Sequence, residues 1–419
     1  MAVRTTTLKN GFRVVTDAMP RLKSAALGVW VEVGARHETK PLQGISHLLE
    51  HMAFKGTRRR TAKQIAEEIE AVGGYLNAYT GREQTAYYAR VLKDDVPLAV
   101  DIIADILLNS VFDKDELARE KGVVIQEIGQ AEDTPDDIIF DHLQAVAYPD
   151  QPLGRAILGT IDSVNSFTRK SLTSYMGKWY GARAMTFIAS GAVDHDRLVA
   201  LVAEKFAALN GAGEGSPVPA RYRGGDFRKS DDLEQAHLTI AIPGPRVNDP
   251  EIFAAQVFTA VLGGGMSSRL FQEVREKRGL CYSIYAFSNH YRDDGLFGIY
   301  AGTGAKQLRE IVPVITGEIE SLSTETGEAE AARARAQLKA GLLMSLESPT
   351  SRCEQIAAHL FAYGRVLSPE EIIRKLDTID AKAVARVAEG VLKSGRPSVA
   401  ALGPVKQLES YDHLAARFG

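Results

Sequence analysis

The segment Gly44–Thr57 reads GISHLLEHMAFKGT and places two histidines and a glutamate inside an otherwise apolar stretch. Its apolar residues leave little room for a solvated face, so we predict a buried helix that ends near Gly56. A buried carboxylate beside two imidazoles costs several kcal/mol unless partners or a metal compensate it. The segment therefore predicts a bound ligand at this helix.

The spacing of the three polar residues is typical of a hydrolytic metal site. His47 and His51 are four residues apart, so a helix places both imidazoles on one face, where they can share an ion. Zinc accepts such nitrogen ligands at about 2.0–2.1 Å. Glu50 lies beside that face, where a general base acting on water belongs. The arrangement HLLEH is the inverted H-x-x-E-H signature of zinc peptidases.

Two histidines leave a catalytic zinc one protein ligand short, so a carboxylate from elsewhere in the chain is needed. The predicted helix that follows Asp113 carries Glu116, Glu120 and Glu127 among apolar residues. Glu120 lies two turns before Glu127 on the same face. Spacing alone leaves the choice among these carboxylates open.

The rest of the chain indicates two similar halves. At 419 residues it exceeds the usual size of a single core. Shifting the first half by about 205 positions aligns its helices and strands with those of the second. We expect a catalytic domain over residues 1–209, a linker rich in Gly and Pro over 210–230, and a homologous domain over 231–419. The fold class is α+β, each half a mostly antiparallel sheet with helices packed on one face.

Composition excludes several classes of function. A formal net charge of −3 and a pI near 6.3 give no signal for binding nucleic acid or anionic membranes. The two cysteines, Cys281 and Cys353, lack metal-binding spacing and favour a reducing compartment. We find no signal peptide and no membrane span, so we expect a cytoplasmic protein.

The chain resembles the M16 (pitrilysin and insulinase) zinc metallopeptidases. The resemblance is carried by HLLEH and by Glu127, which follows His51 by 76 positions. The stretches GGYLNAYTGREQTAYYARV and LGGGMSSRLFQEVREKRGLCYSIYAF are similar to the processing-peptidase branch. The resemblance implies that His47, His51 and Glu127 hold one Zn2+ per chain and that Glu50 is the base. It also implies that Glu120 orients a ligand histidine.

Substrate contacts are expected in both halves. Tyr75–Tyr79 reads YLNAY and is predicted to be an exposed sheet edge onto which an extended peptide adds as a strand. Asn77, Ala78 and Tyr79 are the expected peptide-binding residues. In the second half, the resemblance implies that Tyr282 donates to the developing oxyanion and that Arg275 holds a substrate carbonyl.

The predicted function is that of a zinc-dependent endopeptidase acting on extended peptides or unfolded polypeptides. The first alternative is a noncatalytic scaffold or partner subunit of an M16 heterodimer, whose usual mark, a damaged H-x-x-E-H motif, is absent here. The second is a zinc-stabilised binding module without hydrolysis. We expect a homodimer, with a heterodimer containing an inactive paralogue as the alternative.

Overall fold

The computed structural model describes residues 3–211, 213 and 215–419. Met1, Ala2, Ala212 and Glu214 lie outside the described residues, the last two within the predicted linker. The helices are α1 (Ile45–Ala53), α2 (Ala62–Glu70), α3 (Val96–Leu108), α4 (Lys114–Glu132), α5 (Pro135–Ala147), α6 (Ile161–Ser166), α7 (Arg169–Trp179), α8 (His195–Lys205), α9 (Ile252–Gly263), α10 (Leu308–Glu325), α11 (Glu328–Ser345), α12 (Pro349–Tyr363), α13 (Pro369–Asp377), α14 (Ala381–Leu392) and α15 (Tyr411–Ala415). The strands are β1 (Arg4–Thr7), β2 (Arg13–Ala18), β3 (Ser24–Val31), β4 (Tyr75–Thr80), β5 (Thr85–Leu92), β6 (Met185–Gly191), β7 (Gly225–Ser230), β8 (Ala236–Pro243), β9 (Cys281–His290), β10 (Gly295–Thr303) and β11 (Ser398–Gly403).

The first compact unit comprises Met1–Gly129, Arg155–Val218 and Met344–Val366. Its six-stranded sheet has the order β1-β2-β6-β3-β5-β4, and every neighbouring pair is antiparallel except β2 and β6. Strand β4 pairs only with β5, so it forms one edge of the sheet. An edge strand leaves one row of backbone groups free of the ladder.

Both faces of this sheet are apolar because its central strand β3 is an almost continuous apolar run. Leu27 and Val29 face the main core, which includes residues of α1 and α3. Ala26 and Trp30 face the other side, where they join a cluster with residues of α12. A second apolar face has to be covered, and α12 covers it.

The second compact unit comprises Gln130–Gly154, Pro219–Leu343 and Leu367–Gly419. Its five-stranded sheet has the order β7-β11-β8-β10-β9, and only β7 and β11 are parallel. One face packs on a core that includes α9, α10 and α14. The other face contacts α5, whose Ile139 and Leu143 are buried with strand residues of this unit.

The predicted fold class is confirmed, with one addition: each sheet also carries a helix on its second face. Helix α12 comes from the C-terminal half of the sequence and α5 from the N-terminal half. The compact units therefore differ from the contiguous division into 1–209 and 231–419. The predicted linker also differs from the structure at its end, where Gly225–Ser230 form strand β7. These residues are a strand despite their polar side chains because their backbone pairs with that of β11.

The two halves repeat the same order of elements at a nearly constant spacing. Edge strand β4 begins at Tyr75 and edge strand β9 begins at Cys281, 206 positions later (281 − 75). Each is followed by a second strand and then by a long helix. None of the helices in the described residues has the length and hydropathy needed to cross a membrane.

Candidate active site

Helix α1 presents its polar residues on one narrow face. Of its nine residues, six are buried, and the three that keep partial solvent access are His47, Glu50 and His51. The i, i+3 and i+4 spacing places these three side chains side by side. The apolar remainder of the helix packs into the core, which holds the polar face in a fixed direction.

The start of α1 is fixed by a buried carboxylate. Gly44 precedes the helix with φ +90, a conformation that disfavours residues with a Cβ. Its amide and that of Ser46 donate to the carboxylate of Glu38 at 2.7 and 2.8 Å. Glu38 thereby caps a helix that has no side-chain cap of its own. Burial raises the pKa of Glu38 to about 7.

His47, His51 and Glu127 converge in space. One ligand atom from each lies within 4.8 Å of the others. Glu127 Oε2 is 3.7 Å from His47 Nε2 and 3.5 Å from His51 Nε2. In the part of the chain that the structure describes, this is the one group of three His, Cys, Asp or Glu residues able to hold a metal.

The donor set fits a tetrahedral metal ion. Ligand atoms around an ion with bonds of 2.0–2.2 Å lie about 3.3–3.6 Å apart, close to the two distances from Glu127. Glu127 Oε2 is itself buried and has no hydrogen-bond partner within the described residues, so an ion would satisfy it. Burial, with a smaller effect of His51, lowers the pKa of His47 to about 4, which keeps this imidazole neutral and able to ligate.

Glu120 contacts the second histidine. It lies seven residues before Glu127 on α4 and is almost fully buried. His51 Nδ1 donates to Glu120 Oε2 at 3.0 Å, which leaves Nε2 of that ring directed at Glu127. Fixing the tautomer of a ligand histidine is the usual role of such a carboxylate.

Glu50, on α1, is hydrogen-bonded to the last residue of edge strand β4. The hydroxyl of Thr80, the last residue of β4, donates to Glu50 Oε2 at 2.5 Å. Burial raises the pKa of Glu50. The Thr80 hydroxyl and His51 oppose this shift, and the negative charge of Glu127 adds a smaller increase. A raised carboxylate pKa brings a general base closer to the operating pH.

The predicted peptide-binding residues lie on the open edge. Asn77 is exposed, and its Oδ1 accepts from the amide of Ala78 at 2.8 Å. The Tyr79 side chain points to the opposite face of the sheet from Ala78 and is engaged by protein groups. Its hydroxyl donates to Glu354 at 2.6 Å and accepts from Gln84 at 2.7 Å. The Tyr79 hydroxyl is therefore already occupied by protein groups.

Arg275 and Tyr282 belong to the second unit and contact each other. Arg275 lies in a π-helical segment, Phe271–Lys277, and its guanidinium stacks 5.0 Å from the centre of the Tyr282 ring. Tyr282 is 71% exposed on edge strand β9. The contact with Arg275 restricts the orientation of the exposed Tyr282 ring.

Three partners of the site were not identified from the sequence: Glu38, Lys55 and Thr80. Lys55 had a signal, because it follows His51 by four residues and so continues the same helix face. Its Nζ contacts Glu120 Oε1 at 2.7 Å. Glu38 and Thr80 lie outside the motif, and no spacing rule connects them with it.

Comparison with known proteins identifies the family of this chain. The family model described as insulinase, peptidase family M16, matches residues 13–161, and that of the peptidase M16 inactive domain matches 166–338. The chain belongs to peptidase family M16. The resemblance found in the sequence is thereby confirmed.

Two curated relatives of this M16 chain span nearly its full length. A Rickettsia felis protein named uncharacterized zinc protease is 41% identical over 398 residues, covering 95% of this chain and 96% of the relative. An Arabidopsis thaliana protein named probable mitochondrial-processing peptidase subunit beta is 38% identical, covering 99% of this chain and 81% of the relative. Both alignments include the two halves.

Solved structures show the same fold. The crystal structure of a protease from Helicobacter pylori superposes with a TM-score of 0.89 at 21% identity, covering 96% of this chain and 99% of that one. A peptidase M16 inactive domain from Pseudomonas fluorescens also gives a TM-score of 0.89, at 22% identity over 98% of this chain and 99% of that one. At these identities the likeness concerns the fold alone.

Proposed function

We propose that this chain is a zinc-dependent endopeptidase that hydrolyses extended peptides or unfolded polypeptides. The observation that carries the proposal is the convergence of His47, His51 and Glu127 immediately beside Glu50. Membership of family M16 and the zinc-protease names of its relatives support it.

In this proposal the three converging residues hold one Zn2+ per chain. Zinc in such a site supplies Lewis acidity, which lowers the pKa of water toward neutrality and polarises a carbonyl. Glu50 takes the proton from the attacking water and returns it to the leaving amine. Glu120 keeps the His51 ring in the ligating tautomer throughout.

We also propose that the substrate adds to β4 as a further strand. The edge position of β4 supports this, as does the contact between its last residue, Thr80, and Glu50. Those backbone groups of Asn77, Ala78 and Tyr79 that point away from β5 then pair with the peptide, so recognition depends on an extended main chain more than on side chains. Peptides N-methylated at single amides test this: if no methyl position raises KM, strand addition is wrong.

The second unit is proposed to supply Tyr282 as a donor to the developing oxyanion and Arg275 as a holder of a substrate carbonyl. Removal of one such donor costs about 10²–10³-fold in kcat. Tyr282→Phe is therefore expected to lower kcat by that factor without changing zinc content. Tyr285→Phe, on the same strand and 40% exposed, is the matched control. Equal kcat values for the two variants would remove Tyr282 from the mechanism.

The central experiment combines metal analysis of the purified chain with cleavage of a fluorogenic peptide. We expect about one zinc per chain, activity that a chelator abolishes, and recovery when zinc is added back. Recovery is expected because the three ligands lie on α1 and α4, whose apolar residues pack in the core. A chain that binds no zinc and remains inactive when zinc is supplied contradicts the proposal.

We also propose an assembly and a cellular location for this chain. A homodimer is the proposed assembly, with a heterodimer containing an inactive paralogue as the alternative; light scattering of the purified chain distinguishes a dimer from a monomer. A cytoplasmic location is supported by Cys281 and Cys353, which are both free and buried. Imaging or fractionation of the tagged protein tests the location.

A further inference from the structure

Lys55 lies in the turn that ends α1, outside the H-x-x-E-H motif, and contacts Glu120, the carboxylate that orients His51. Its Nζ donates to Glu120 Oε1 at 2.7 Å, while Glu120 Oε2 accepts from His51 Nδ1 at 3.0 Å. The two oxygens of one carboxylate thus have one partner each. The three residues form a chain from solvent to the metal face of α1.

The burial of these groups makes the lysine necessary. The Glu120 side chain is 6% exposed, whereas that of Lys55 is 31% exposed, so the ammonium keeps some water while the carboxylate has almost none. A buried carboxylate is stabilised in place by a charge partner and by hydrogen bonds. Lys55 supplies the charge, and the His51 ring supplies a hydrogen bond.

We infer that Lys55 is a positioning residue that holds Glu120 against His51 and thereby strengthens zinc binding. This inference rests on the proposed function. Without Lys55, the carboxylate loses the one lysine or arginine that it contacts within the described residues and turns toward solvent, and the His51 ring loses its fixed acceptor. Loss of such an outer partner typically weakens metal affinity about 10–100-fold.

An opposing effect exists, because removing a positive charge also reduces repulsion of the incoming cation. That repulsion acts across the carboxylate and the imidazole and is screened by the solvent that reaches Lys55. The contact with Glu120 acts directly, at 2.7 Å, on a carboxylate that is itself almost fully buried. We therefore expect the loss of positioning to dominate.

The test measures the zinc dissociation constant of the full chain by competition with a chromophoric chelator. Lys55→Met is expected to raise that constant about 10–100-fold, and Lys55→Arg, which keeps the charge, to restore most of the affinity. Lys63→Met is the matched control, since Lys63 pairs with Glu67 on the exposed surface of α2. Thermal unfolding of the metal-free variants shows whether each is folded.

A double-mutant cycle decides whether Lys55 acts through Glu120. In a Glu120→Gln background, Lys55→Met is expected to have almost no further effect on zinc affinity. Unchanged or tighter zinc binding by Lys55→Met in the unmodified background overturns the inference, as does full additivity in the cycle. Absence of zinc binding by the unsubstituted chain contradicts the proposed function instead, so the two failures are distinguishable.

Discussion

Glu50→Gln is expected to lower peptide cleavage by about 10²–10⁴-fold while leaving about one zinc bound per chain. The amide cannot take a proton from water, but its oxygen can still accept the hydrogen bond from the Thr80 hydroxyl. The packing of α1 is therefore retained. Metal analysis and initial rates with the fluorogenic peptide measure the two quantities on the same sample.

The matched control for this variant is Glu67→Gln, which removes a carboxylate from the exposed surface of α2. It is expected to leave both zinc content and rate unchanged. The comparison also separates the alternative functions. A zinc-stabilised binding module, or a noncatalytic partner subunit, predicts no cleavage to lose, and Glu50→Gln would then bind zinc and behave like the unsubstituted chain.

Glu127→Gln is expected to remove zinc. It replaces an anionic ligand with a neutral amide, and the remaining histidines provide only two of the three protein ligands that a catalytic zinc requires. Loss of an outer partner costs about 10–100-fold in metal affinity, and loss of a ligand should exceed that. Activity should fall to background at low zinc and recover only partly in excess zinc.

The control for the ligand variant comes from the same helix. Glu116 is a surface carboxylate of α4 that pairs with Arg119, and Glu116→Gln is expected to retain both zinc and activity. Dialysis against low zinc followed by metal analysis makes the comparison quantitative. Full zinc retention by Glu127→Gln would mean that the convergence with His47 and His51 is not the metal site.

The helix that carries the site was predicted well from the sequence, because the pattern that identifies it lies within a few neighbouring residues. The positions of His47, Glu50 and His51 repeat at i, i+3 and i+4, and the apolar residues between them specify which face is buried. The structure shows these three as the partly accessible residues of α1. The edge position of β4 was also predicted from a local feature, the strand YLNAY that follows Gly73 and Gly74.

The third member of the cluster was harder to predict. Helix α4 carries three candidate carboxylates, Glu116, Glu120 and Glu127. The helical repeat alone does not determine which of them faces α1. Packing decides it: Glu120 is buried against His51 Nδ1, and Glu127 reaches the Nε2 atoms of both histidines. Resemblance to a family selected the same residue, but the spacing did not.

The sequence by itself determined the local elements, the repeat of two halves and the polar face of α1, because hydrophobic period and short spacings act between neighbouring residues. Only the tertiary structure decided which helix covers the second face of each sheet. It also decided that Lys55 contacts Glu120 and that Thr80 contacts Glu50. Those contacts join residues distant in the chain, so they depend on how the elements pack and not on local spacing.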